Sequence, residues 1–131
     1  MTNLEKSELV LARILELLLD RGIQLGLISF DDLELEGEYL PFYGPCFEWL
    51  VREGLVAAKN ISGSQIGDYA IISPSLTARG LVFLGLEIEG DERGLKILEV
   101  VRQASSERKS LSEIGDFTGG FFGGMIKSLG S

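Results

Sequence analysis

The chain has 131 residues, a formal net charge of −8, 45% hydrophobic and 24% charged residues, and a mean hydropathy of +0.22. Those totals suit one well-filled core and argue against a disordered chain or two full-sized domains. Histidine is absent and Cys46 is the lone cysteine, which excludes an internal disulfide, Cys/His zinc sites and imidazole-based catalysis.

Glu5, Lys6 and Glu8 precede the first apolar run, unlike the basic head and greasy centre of a secretory signal, so a cytoplasmic location is expected. The run Leu9 to Leu19 is interrupted by Arg13 and Glu16, short of the roughly 18–20 apolar residues of a spanning helix. Leu4, Leu11, Ile14, Leu15 and Leu18 instead follow the i, i+3, i+4, i+7 pattern of a helix with one buried face. The spacing predicts a helix over 4–20, with Asn3 as N-cap and Gly22 just past its end. Leu9, Leu17 and Leu19 widen the apolar face, which implies burial on two sides, by the C-terminal segment or by another copy of the chain.

Two readings compete for residues 29–40. Ser29 and Asp32 have capping-box spacing and would open a short helix, whereas Leu33, Glu34, Leu35 and Glu36 alternate as in a strand. Tyr43-Gly44-Pro45 then sets proline at the first position of a helix whose stripe is Cys46, Phe47, Leu50 and Val51 and whose end is Gly54. Residues 55–58 and 68–72 are strand-like and are expected to pair across a long loop, 61–67, in which Gly63 and Gly67 serve turns. Ser75 or Thr77 caps a helix closing near Gly85. After a charged bend from Glu87 to Arg93, Ile97, Val101 and Ala104 mark a further helix, and Ser105 to Ser110 punctuate the chain. In the final piece, Ile114, Phe117, Phe121 and Met125 share one helical stripe, and Gly115, Gly119 and Gly123 share another.

The segments FEWLVREGLV and PSLTARGLVFL, with a hairpin between them, resemble uncharacterised bacterial and phage winged-helix proteins whose fourth helix opens with Leu-Thr-x-x-Gly. The similarity spans about residues 45–85. It implies an α+β winged-helix-like fold, expected over residues 1–90; the residues of 91–131 themselves read as a C-terminal helical extension with a glycine-rich tail, packed on the same domain or a partner. It also implies a default role in DNA binding, although function does not follow from fold alone.

Charge argues against that default. A winged helix sets its third helix in the major groove and its wing on phosphates. Yet residues 45–72 carry only Arg52 and Lys59 against Glu48, Glu53 and Asp68. Typical duplex affinity comes from about six to ten phosphate contacts, which this segment cannot supply. The charge is also split, −10 over residues 1–92 and +2 over 93–131. The C-terminal part is therefore expected to pack against the acidic stretch from Asp31 to Glu38, in the same chain or a neighbour, unless those acids form a solvated edge. The carboxylates lack the spacing of a calcium loop, so neither a metal nor a cofactor is expected.

Glycines 115, 119, 120, 123 and 124 inside a helix would cost on the order of 4–5 kcal/mol against alanine. Close backbone approach at glycines four apart would offset this, together with burial of Phe117, Phe121, Phe122 and Met125 at about 1.5–3 kcal/mol each. Docking on the N-terminal helix and a contact between copies both satisfy that requirement, and a membrane surface satisfies it least well.

Cys46 reads as a small core residue rather than a nucleophile. Trp49, with Phe42 and Tyr43, reads either as core or as an exposed aromatic anchor. The expected function is non-enzymatic protein–protein contact and self-association, with Trp49, Arg52, Lys59, Gly119, Phe121, Phe122 and Gly123 as the candidate surface. The alternative is a dimeric winged-helix DNA-binding transcriptional regulator.

Overall fold

The structure, a computed structural model, describes residues 1–62, 70–88 and 92–115. Helix α1 (Asn3–Arg21) is its axis. The N-cap is Thr2 rather than Asn3, because Glu5 lies three residues on and closes a capping box: the Glu5 amide donates to Thr2 Oγ1 (3.1 Å) and the Thr2 amide to Glu5 Oε1 (2.9 Å). At the other end Gly22 takes φ +68°, where a β-carbon would be strained. Every residue from Glu8 to Ala12 is buried, so α1 is covered all round over that stretch. Leu4, expected in the core, is exposed one turn before this covering begins.

Strand β1 (Leu27–Ile28) follows, and then residues 29–40 adopt neither of the two expected forms. They make two 3₁₀ turns, Phe30–Leu33 and Gly37–Tyr39. The Ser29 amide does donate to Asp32 Oδ2 (2.8 Å), as the capping spacing implied. Glu34 is left-handed (φ +55°) and reverses the chain before an α-helix can propagate. Arg13 Nε donates to the Leu33 carbonyl (2.8 Å), so an α1 side chain holds this backbone where a strand would use a ladder partner. Leu33 and Leu35 are buried and Glu34 and Glu36 exposed, so the alternation reports burial without a strand.

Helix α2 (Leu40–Arg52) starts five residues before the expected Pro45. Pro41 occupies the first turn, and Pro45 lies inside, where it removes the donor for the Pro41 carbonyl at an exposed position open to water. Val51, placed on the apolar stripe by its spacing, is exposed. The helix closes as a Schellman turn on Gly54 (φ +77°), with the Leu55 amide donating to Leu50 O and the Gly54 amide to Val51 O, each at 3.0 Å.

Among the described residues, the strand expected over 55–58 does not pair with 70–72. Strand β2 (Val56–Ala57) is antiparallel to β5 (Ser75–Leu76), while β3 (Asn60–Ser62) pairs with β4 (Ala70–Ile72), and β1 flanks β4 on its other edge. The three-stranded order is β1-β4-β3. Gly63 and Gly67, the expected wing turns, lie outside the described residues.

Helix α3 (Ala78–Gly85) is capped by Thr77, not Ser75: Thr77 Oγ1 accepts from the Gly80 amide (3.0 Å) and donates to the Gly54 carbonyl (2.6 Å). An isolated bridge, Glu87 to Lys96, leads to α4 (Ile97–Glu107), which buries Ile97, Val100, Val101 and Ala104 and runs on through Ser105. Ser110 then caps α5 (Leu111–Ile114). Gly115 has extended dihedrals (φ −100°, ψ 147°) and ends that helix, so no single helix continues through it and the glycine there is a cap, not a helix interior.

Helix α1 packs against α2, α4 and α5, so the described C-terminal segment supplies part of its burial. Leu9, Phe47, Leu55, Phe83, Val101 and Leu111 belong to one continuous core. The described part of 91–131 therefore shares the hydrophobic centre of 1–90.

Candidate interaction surfaces

The outward face of α2 presents Pro41, Pro45, Glu48, Val51 and Arg52, so its only cation is Arg52. Trp49 is half-buried beside this face. With Phe42, Pro45, Cys46 and Arg52 from α2 and Leu4, Ser7 and Leu11 from α1, it lines a mainly apolar groove of about 390 Å³. The structure thus brings together Trp49 and Arg52 from the expected surface. Lys59 does not line the groove; it is exposed at the base of the β3–β4 hairpin, where its amide donates to Ile72 O (2.9 Å). Gly119, Phe121, Phe122 and Gly123 lie outside the described residues.

Tyr43, one of the aromatics expected beside Trp49, is not exposed. It is wholly buried, donates from its hydroxyl to the Ile28 carbonyl (2.8 Å), and stands edge-to-face between Phe30 (5.9 Å) and Phe47 (5.5 Å). Burial pushes its phenol well above the ordinary value, and the ring serves to tie β1 to α2. Cys46 Sγ donates to the Ser7 carbonyl (3.7 Å) in the wall between α1 and α2. Burial pushes its thiol up to about 12, the opposite of what a nucleophile needs.

Further exposed aliphatic residues lie after α1 and on α3. Ile23, Leu25, Leu27, Leu81 and Val82 are 87%, 85%, 58%, 53% and 64% exposed. Ile23 and Leu81 meet with Leu18, Leu19, Gly22 and Leu76 around a small hollow of about 100 Å³. The signal was present in Ile23-Gln24-Leu25-Gly26-Leu27, an aliphatic stretch set between glycines with no helical spacing to bury it.

Ion pairs follow a pattern different from the expected one. The acidic stretch meets cations of α1, through Lys6–Glu38 (3.4 Å) and Arg21–Asp32 (3.8 Å). On the C-terminal side, Arg102 pairs with Asp20 (3.3 Å) and Glu16 (3.7 Å), and Ser105 Oγ links Arg13 and Glu16 at 2.8 Å each. Helix α1 thus answers both charge blocks, while Arg108 of the C-terminal part stands close enough to Tyr39 to draw its phenol down against the raising effect of burial, Glu38 and Glu36. A hollow lined by Arg13, Glu16, Asp20, Asp32 and Glu34 lies on this side, and no group of metal-competent side chains is found among the described residues. Nor is any helix there long and apolar enough to cross a membrane.

Comparison with protein-family models, curated proteins and solved structures finds no match to this chain.

Proposed function

We propose that the chain is a winged-helix-like, non-enzymatic domain of the cytoplasm that acts through protein–protein contact and self-association. The order α1, β1, α2, β3–β4 hairpin, α3, with β1 on the open edge of β4, supports the winged-helix reading. The observation that carries the function is the exposure of Ile23 and Leu81, which meet around one hollow, with Leu25, Leu27 and Val82 also exposed close to them in sequence. Singly exposed leucines are ordinary, whereas large aliphatic residues converging from the α1–β1 loop and α3 mark an interaction surface. Self-association would cover it without a further component.

The alternative, a dimeric DNA-binding regulator, has Arg52 on the outer face of α2 and Lys59 at the hairpin base. Against about six to ten phosphate contacts, two cations flanked by Glu48 and Glu53 are too few. Retention on heparin or duplex DNA at low salt separates the readings: retention supports the regulator, and passage in the void supports the contact module.

A further inference from the structure

Helix α3 buries Gly80, Phe83 and Leu84 and leaves Ala78, Leu81, Val82 and Gly85 exposed. Those four recur at i, i+3, i+4 and i+7, so they form one uncharged stripe along the helix. Small residues hold its two ends and large ones its centre, and a β-carbon added at Gly85 would meet nothing within 4 Å. The order small-large-large-small reads the same in both directions, as a two-fold contact of one patch with itself requires.

The two edges of the stripe differ. On one edge Leu81 meets Ile23. On the other, Arg79 stands one turn before Val82, with its Nε bound to the Glu53 carbonyl (3.2 Å) and its terminal nitrogens left for a carboxylate. Glu87 is exposed two residues beyond the helix, across a backbone bridge from Lys96. Neither Arg79 nor Glu87 forms an ion pair among the described residues.

Resting on the self-association reading, we infer that the partner is a second copy of this chain whose α3 lies antiparallel on this one, about a two-fold axis between Leu81 and Val82. Antiparallel packing sets like edge against like edge. Ile23 then faces Ile23 of the other copy, and each Arg79 comes within about 5 Å, along the axis, of the other copy's Glu87. Two reciprocal ion pairs flank an apolar centre and fix the register. A parallel pair would set the Ile23 edge against the Arg79 edge and hold the opposite charges about 12 Å apart along the axis. Helix α3 is itself only about 12 Å long, so the dimer belongs with small, concentration-dependent interfaces.

Sedimentation equilibrium tests this with the full chain, Arg79→Glu, Glu87→Arg and an equimolar mixture of the two variants. Each variant alone sets like charges together at both ends of the contact, so its dimer dissociation constant should rise about tenfold at low salt. The mixture restores both opposite-charge pairs in the heterodimer alone and should associate as tightly as the parent. Damage to the fold in Arg79→Glu, which gives up the bond to Glu53 O, cannot mimic that recovery. Glu87→Arg lies clear of that bond, and its difference from the parent should vanish in 1 M salt. A dimeric parent whose variants associate as it does, or a mixture no tighter than its components, overturns the antiparallel α3 pairing and leaves self-association standing. A parent monomeric at every concentration overturns both.

Discussion

Gly80 in α3 presses its backbone against the Leu55 carbonyl so closely that a β-carbon at Gly80 would overlap that oxygen. Around this contact the Thr77 amide donates to Leu55 O (3.0 Å), Thr77 Oγ1 bonds Gly54 O, and Arg79 Nε donates to Glu53 O (3.2 Å). The pieces Glu53-Gly54-Leu55 and Leu76-Thr77-Ala78-Arg79-Gly80 are thus two halves of one lock that joins the end of α2 to the start of α3.

Replacing Gly80 by alanine forces backbone against backbone, with no flexible side chain to yield. It should lower stability by about 1–3 kcal/mol, read from urea denaturation midpoints at unchanged m-value. The same change at Gly85, where nothing stands near an added β-carbon, should not destabilise.

Glu8 is buried on α1 and holds Ser112 by two hydrogen bonds. Glu8→Ala should cost about 1–3 kcal/mol and loosen α5, seen as faster hydrogen exchange at Leu111 and Ile114. Glu8→Gln keeps one acceptor oxygen and should cost less.

The raised thiol of Cys46 gives stability a pH dependence. A thiol that stays protonated in the folded state ionises more readily on unfolding, so its contribution is intact below the ordinary value of 9.0 and is lost as pH rises from there toward about 12. Melting temperature should therefore fall above pH 9 more steeply in the parent than in Cys46→Ala. At neutral pH the native thiol should react slowly with disulfide reagents and rapidly once the chain is denatured.

Much of the scaffold could be read from periodicity, since α1 and α4 bury long helical stripes, and α3 follows one of two candidate caps, Ser75 and Thr77, of which the structure uses Thr77. The start of α2 could not. Two prolines lie four residues apart, and the aromatic run Leu40 to Tyr43 resembles a loop until Tyr43 is seen to reach the Ile28 carbonyl. Nor could the pairing of Val56 with Leu76, because strand partners are set by the lock at Gly54 and Thr77 and not by local pattern. Residues 29–40 resisted for the same reason: Arg13, twenty residues earlier, completes their hydrogen bonding. Of the site, Trp49 and Arg52 were legible as a helix face, and Ile23 and Leu25 show only as an aliphatic stretch among glycines, whereas Leu81 looks like a core residue by type and only the fold leaves it outside.

The DNA alternative yields its own expectation. If Arg52 and Lys59 contacted phosphates, Arg52→Gln/Lys59→Gln would reduce the slope of log affinity against log salt by about two. The contact-module reading predicts no measurable duplex binding in the parent at 150 mM salt, as judged by fluorescence anisotropy with a labelled duplex, leaving the double variant nothing to change.

The central claim is most directly tested by light scattering across the size-exclusion peak, comparing the full chain with Ile23→Asp/Leu81→Asp. Both positions are exposed, so the fold should survive, as circular dichroism would verify. A parent of at least twice the chain mass, reduced by the double substitution to a folded monomer of 14.3 kDa, is the predicted result. A parent that is monomeric at every concentration, or an oligomer unchanged by the two aspartates, would contradict it.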